Sequence, residues 1–263
     1  MHPIERLRYV ARAGHVSPRL LVRETAMALT DFVGDDAVLL ISCKRILDRQ
    51  PSAAPLVWLV AHALGAPKPA QALWQAAEEI EADRTIAAVA YELPDDARVA
   101  VLGWPDWIED LVRLRGDVGL VIVDVEGSAD YEVERLDPET DVLVVDPIGA
   151  GQGLSEASHV LVDLDALGPE RSIARQGAMA LAATGRHVGL PVWGVAPTGA
   201  ALPGRMYDGL SRRWHERSEE PIWERAVEEL DTSLLDRIGT HRGVVDADEA
   251  LRSSGCPIVP ELF

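Results

Sequence analysis

"SHVLVDLDALGPERSIARQGAMALAATGRHVGLPVWGVAP", residues Ser158 to Pro197, decides the fold of this chain. It opens with an apolar run ending at two acids, Asp163 and Asp165. A turn around Gly168 and Pro169 follows, and then "IARQGAMALAATGRHV", whose small and apolar residues read as a helix. A second apolar run, "LPVWGVAP" (190–197), closes the stretch. Short continuous apolar runs bounded by Asp, Gly or Pro predict strands buried on both faces, the habit of parallel sheets. Strand, helix and strand in succession make a βα unit.

Working outward, similar runs occur at "ARVAVLGW" (97–104), "VGLVIVDV" (118–125) and "TDVLVVDP" (140–147). "PDWIEDLVRLR" supplies a helix after the first, and "PIGAGQGLSEAS" is a short Gly-rich connection after the third. Its "GAGQG" (149–153) is neither the GxGxxG of a dinucleotide site nor a P-loop, and reads as a turn. Residues 1 to about 82 have helical periodicity, in "SPRLLVRETAMALTDFV", "DDAVLLISCKRILDR", "SAAPLVWLVAHAL" and "KPAQALWQAAEEIEADR". The first has Ser17 as N-cap and Pro18 at the first helical position. The regime changes near "ELPDDA" (92–97). The prediction is an α/β protein, with a helical domain over 1–95 and a Rossmann-like, mostly parallel doubly wound sheet over 96–263.

Composition excludes several classes. At 263 residues and 48% apolar, the chain is long and apolar enough for a sizeable core. No run of about 18 uncharged apolar residues occurs, so no membrane span is expected. "MHPIERLRYVARAGHV" has no apolar h-region and does not read as a secretory signal. Two distant cysteines, Cys43 and Cys256, give no disulfide framework or zinc pattern, and a reducing cytoplasm is the expected compartment. A net charge of −18 argues against nucleic acid and anionic membranes as partners. Lys44 and Lys68 are the only lysines; GC-rich coding and adaptation to high salt both account for that.

The chemistry-bearing residues gather at strand ends. Asp146, Asp163 and Asp165 all lie at or near the C-terminal ends of predicted parallel strands, the edge where ligands bind in open α/β sheets. Converging acids raise one another's pKa and supply a general acid or base; the same residues also serve as helix caps. Trp104 and Trp107 flank Pro105 over the same edge, as pocket walls or as cover for the sheet. The seven histidines form no HxxxH or HxH pair, so no metal is expected, and no GxSxG elbow is present.

"VLVDLDALGP…RQGAMALAATGRHVGLPVWGVAP" resembles the C-terminal domain of a family. Its members are the initiation factor 2B alpha, beta and delta subunits, methylthioribose-1-phosphate isomerase and ribose-1,5-bisphosphate isomerase. "VLVVDPIGAG", "PIWERAVEEL" and "RIGTHRGVVDADEAL" are similar to further family segments, so the resemblance covers roughly residues 97 to 255. It implies a helical domain before a Rossmann-like one, a homodimer, and Asp165 at the position of the family's catalytic aspartate. It implies no cofactor.

The departures fall on the chemistry. Where the isomerases carry T-H-C with a catalytic cysteine, this strand ends Leu102-Gly103-Trp104-Pro105. Where the family has a phosphate-holding arginine, this chain reads Asp124-Val125-Glu126-Gly127. The family's N-K-I-G-T becomes Ala174-Arg175-Gln176-Gly177-Ala178. A phosphate facing Asp124, Glu126, Asp163 and Asp165 is repelled unless Arg171 or Arg175 compensates. Three readings follow. The first is a small-ligand-binding or assembly module, contacting a sugar or sugar phosphate through Gly103, Trp104, Arg175 and Gly177. The second is an aldose–ketose isomerase-like enzyme with Asp165 as general acid/base and Asp146 or Asp163 as partner. The third is a regulatory subunit in translation.

Overall fold

The computed structural model describes residues 17–263. The helical reading of "HPIERLRYVARA" falls outside them. Four helices come first: α1 (Pro18–Thr30), α2 (Asp36–Arg49), α3 (Ala54–Gly65) and α4 (Pro69–Glu81). Ser17 caps α1 through Leu20 N–H, and Asp35 caps α2 through the N–H groups of Ala37 and Val38. In α3, "APLVWLVAHALG", Leu56 to Ala61 are all buried, so it is apolar around its circumference and forms the centre of this layer. A fifth helix, α5 (Thr85–Glu92), leaves the layer and lies on the sheet.

The sheet contains β1 (Arg98–Leu102), β2 (Gly119–Val123), β3 (Val142–Val145), β4 (His159–Leu167), β5 (Arg171–Arg175), β6 (Val192–Val195), β7 (Val227–Asp231), β8 (Arg237–Thr240) and β9 (Gly243–Val245). Its main path runs β3-β2-β1-β4-β6-β8-β9, parallel except for the last pair. Alternate residues face opposite layers, as the pleat requires. Val99, Val101, Leu120 and Ile122 pack with α5 and with α6 (Ile108–Leu114). Ala100, Val121, Val160 and Val162 pack with α8 (Ala178–His187) on the other face; the short α7 (Ala129–Val133) follows β2. The sheet is doubly wound, with its order reversing between β1 and β4. The five strands expected from the apolar runs are all present.

One segment differs from its sequence reading. The helix expected from Ile173 starts only at Ala178, because Arg171–Arg175 is strand β5. Gly168 N–H bonds Arg171 carbonyl across Pro169-Glu170, folding β5 back onto the end of β4, and β7 adds to its far side. Ile173 and Ala174 are fully buried there, and Gly177, at φ +100°, redirects the chain into α8. Strands β7, β8 and β9 were also not expected.

The helical layer draws on the far end of the chain. Its core includes Met206, Leu210 and Trp214 of α9 (Gly204–Arg217), with Cys256, Val259 and Leu262 of the tail. Trp58 donates its indole N–H to Ser254 carbonyl at 3.0 Å.

Candidate functional site

The crevice at the carboxyl ends of β1 and β4 holds a cleft of about 490 Å³. Asp163, Leu164 and Asp165 of β4, with Val195 of β6, form its floor. Helical-layer residues Arg19, Leu21, Leu56 and Ile80 close the opposite side. The two sides are joined by Asp83, just after α4. Its Oδ1 accepts from Thr198 N–H (2.9 Å) and Thr198 hydroxyl (2.7 Å), beyond β6, while both of its oxygens receive bonds from Thr85.

A β-bulge sets the floor. Leu164 pairs with Ala174 and Ala166 with Ile173, so Asp165 is the extra, unpaired residue on β4. Asp163, opposite Val195 in the parallel ladder, accepts the indole N–H of Trp107 at 2.8 Å. Trp107 itself is buried at the start of α6. Asp165 accepts no hydrogen bond from the other described residues, and Asp106 also lines the cleft.

Both carboxyls ionise late. Burial pushes Asp163 up to about 6, helped by the charge of Asp106 and opposed by the Trp107 hydrogen bond and Arg175. Burial pushes Asp165 up to about 7, with Asp163 and Asp106 adding and Arg175 opposing. By surface area both residues are exposed, because they line the open cleft. The protein atoms packed around them set the upward direction, and cleft water limits its size. Two neighbouring carboxyls that titrate near neutrality are suited to passing a proton as acid and base.

The other sequence-predicted residues stand apart from this cleft. Asp146 caps the turn after β3 through Ile148 N–H at 2.8 Å and is not among the residues lining the cleft, so the structure does not bring it together with Asp165. Trp104 is half-buried against the α5–α6 side of the sheet, outside the lining. Gly103, at φ +58°, packs under Arg175, whose Nη1 a Cβ at this position would overlap. Arg175 approaches Glu126 at 3.0 Å without the alignment of a hydrogen bond. Gly177 starts α8.

Two places that could hold an anion are filled by this chain's own carboxylates. Glu228 of β7 accepts from Gly177 N–H (2.9 Å) and Met179 N–H (2.8 Å) at the N-terminus of α8. Asp124, after β2, accepts from the backbone N–H groups of Glu126, Gly127, Ser128 and Ala129. Burial raises the Asp124 pKa, but those four bonds outweigh it and hold the group below the usual carboxylate range. Among the described residues no group of His, Cys, Asp and Glu is arranged to hold a metal, and no helix is long and apolar enough to cross a membrane. Sequence reasoning missed Asp83, Asp106 and Arg19, which carry no motif and meet β4 only through the fold.

No family model and no curated protein matches the chain. Solved structures do. The translation initiation factor eIF-2B of Pyrococcus horikoshii OT3 is similar at TM-score 0.70 and 14% identity, over 95% of this chain and 98% of that one. The tetrameric eIF2B-beta2-delta2 complex of C. thermophilum gives TM-score 0.73 at 14% identity, over 95% and 92%. The 5-methylthioribose 1-phosphate isomerase of P. horikoshii OT3 gives 0.65 at 14%, over 95% and 87%. The chain has the fold of these proteins, a helical layer followed by a Rossmann-like sheet.

Proposed function

We propose that this protein is a divergent relative of the initiation factor 2B subunits and sugar-phosphate isomerases, and that it binds a small molecule in the cleft over Asp163 and Asp165. The observation that carries this is the cleft itself, at the point where the strand order reverses, with two late-ionising carboxyls on its floor. The isomerases' thiol chemistry is not proposed. Strand β1 runs into Gly103-Trp104-Pro105, while Cys43 and Cys256 are buried elsewhere, their thiols pushed by burial up to about 12.

The test is thermal unfolding against a library of sugars, sugar phosphates, nucleotides and small amines, because a ligand that binds only the folded chain raises the melting temperature. Binding that is weakened by Asp165→Asn supports the reading. A library without a single stabilising compound refutes it.

A second reading is favoured by the near-neutral ionisation of the aspartate pair: an enzyme that moves a proton, with Asp165 as general acid/base and Asp163 as its partner. Solvent deuterium incorporation into a bound sugar, lost in Asp165→Asn, would support it; incorporation unchanged in that variant would exclude it. A homodimer is proposed by likeness to an assembling relative, and light scattering that gives the 28.5 kDa monomer mass would overturn it.

A further inference from the structure

We infer that the cleft selects a small organic ammonium ion carrying hydroxyl groups, and rejects phosphorylated ligands. The inference rests on the cleft-binding reading above and specifies its ligand class.

Charge is the first argument. Asp106, Asp163 and Asp165 line one region of the cleft, and among the described residues Arg19 is the one cationic side chain in the lining. Asp83 and Asp110 are also there, but Asp83 is engaged by Thr85 and Thr198, and Asp110 by Arg113 at 2.6 Å. Asp165 opens into the cleft and accepts no hydrogen bond from the other described residues, so a donor from the ligand gives it a partner. An ammonium group supplies three donors and the opposite charge.

The second argument is independent of the acids on the floor. A phosphate needs a cationic fork or a free helix N-terminus. The N-terminus of α8 is closed by Glu228, and the backbone cradle after β2 by Asp124. Arg175 lies outside the lining and is held against Glu126, so its charge reaches Asp163 and Asp165 only from behind the floor. The chain's own anions thus hold the places an anionic ligand would need. The rest of the lining accounts for the remainder of the ligand: Leu21, Leu56, Ile80 and Ile86 offer an apolar wall, and Ser17 and Ser52 offer hydroxyls.

Three probes with one carbon skeleton separate the charges: 1-amino-1-deoxy-sorbitol, sorbitol and sorbitol 6-phosphate, each titrated calorimetrically into the full chain. A carboxylate–ammonium contact in a partly wet cleft gives the amine an advantage of about tenfold over sorbitol. The phosphate should bind more weakly than sorbitol. Asp165→Asn should abolish the amine's advantage, and Asp106→Asn, on an exposed loop residue where folding is not at stake, should reduce it. Equal affinity for amine and sorbitol, tighter binding of the phosphate, or no binding by any of the three overturns the inference. In each of those cases a stabilising compound from the wider library that is sensitive to Asp165→Asn leaves the cleft-binding reading standing.

Discussion

Replacing Asp165 with asparagine is expected to stabilise the protein at neutral pH and above. In the unfolded chain this carboxyl ionises near 3.8, and in the folded chain near 7. Below the lower value both states are protonated and the group costs nothing. Between the two values folding must take up a proton, so stability falls as pH rises, and the loss is complete above about 7. The rise from 3.8 to about 7 would be worth about 4 kcal/mol in a sealed interior. Asp165 opens onto cleft water, and screening reduces this to about 1–2 kcal/mol. Urea unfolding at pH 4.5, 6 and 8 measures it. With a denaturant slope of about 3 kcal/mol/M, the variant's midpoint should lie about 0.5 M higher at pH 8, with a clearly smaller gain at pH 4.5. Glu219→Gln, on an exposed loop, controls for the relief of general repulsion in a chain of net charge −18. The reasoning fails if Asp165→Asn gains no more than this control at pH 8, or if its gain is the same at every pH.

Trp107→Phe removes the 2.8 Å hydrogen bond that holds Asp163 down. Its carboxyl should then titrate above its present value of about 6, read from the carboxyl carbon resonance across a pH series. Gly103→Ala forces an alanine to φ +58° and sets its Cβ against Arg175, costing about 1–2 kcal/mol of stability in thermal unfolding, whereas Gly151→Ala, with open space around it, should have far less effect. Glu228→Ala uncaps α8 and should cost about 1–2 kcal/mol by denaturant titration. Cys43 and Cys256 should resist a thiol reagent in the folded protein and react together once urea unfolds it.

The parallel strands were legible because each is a short run rich in Val, Ile and Leu, bounded by Asp, Gly or Pro. Strand β7, "VEELD", was not legible, since it buries Glu228, and an acid inside a strand makes sense only once the N-terminus of α8 lies beside it. Arg171–Arg175 has the residues of a helix start; it is extended because β4 and β7 flank it, which local sequence does not encode. In the cleft, Asp163 and Asp165 were readable from their place at a strand end. Asp146 shared that place, but β3 is at the edge of the sheet, so its aspartate caps a turn two strands away from the crevice. Asp83 and Arg19 belong to the helical layer, and their meeting with β4 depends on how the layer docks.

The helical layer closes around residues from the other end of the chain, Met206 to Trp214 and Cys256 to Leu262. During synthesis, therefore, the first helices leave the ribosome with an apolar seam that nothing yet covers. At ordinary elongation rates of about 5–20 residues per second, they wait on the order of ten seconds or more for the tail that completes them. A protein built this way relies on its late residues for its early ones. Loss of Cys256, Val259 and Leu262 would leave that early core open and expose it to chaperones and proteases.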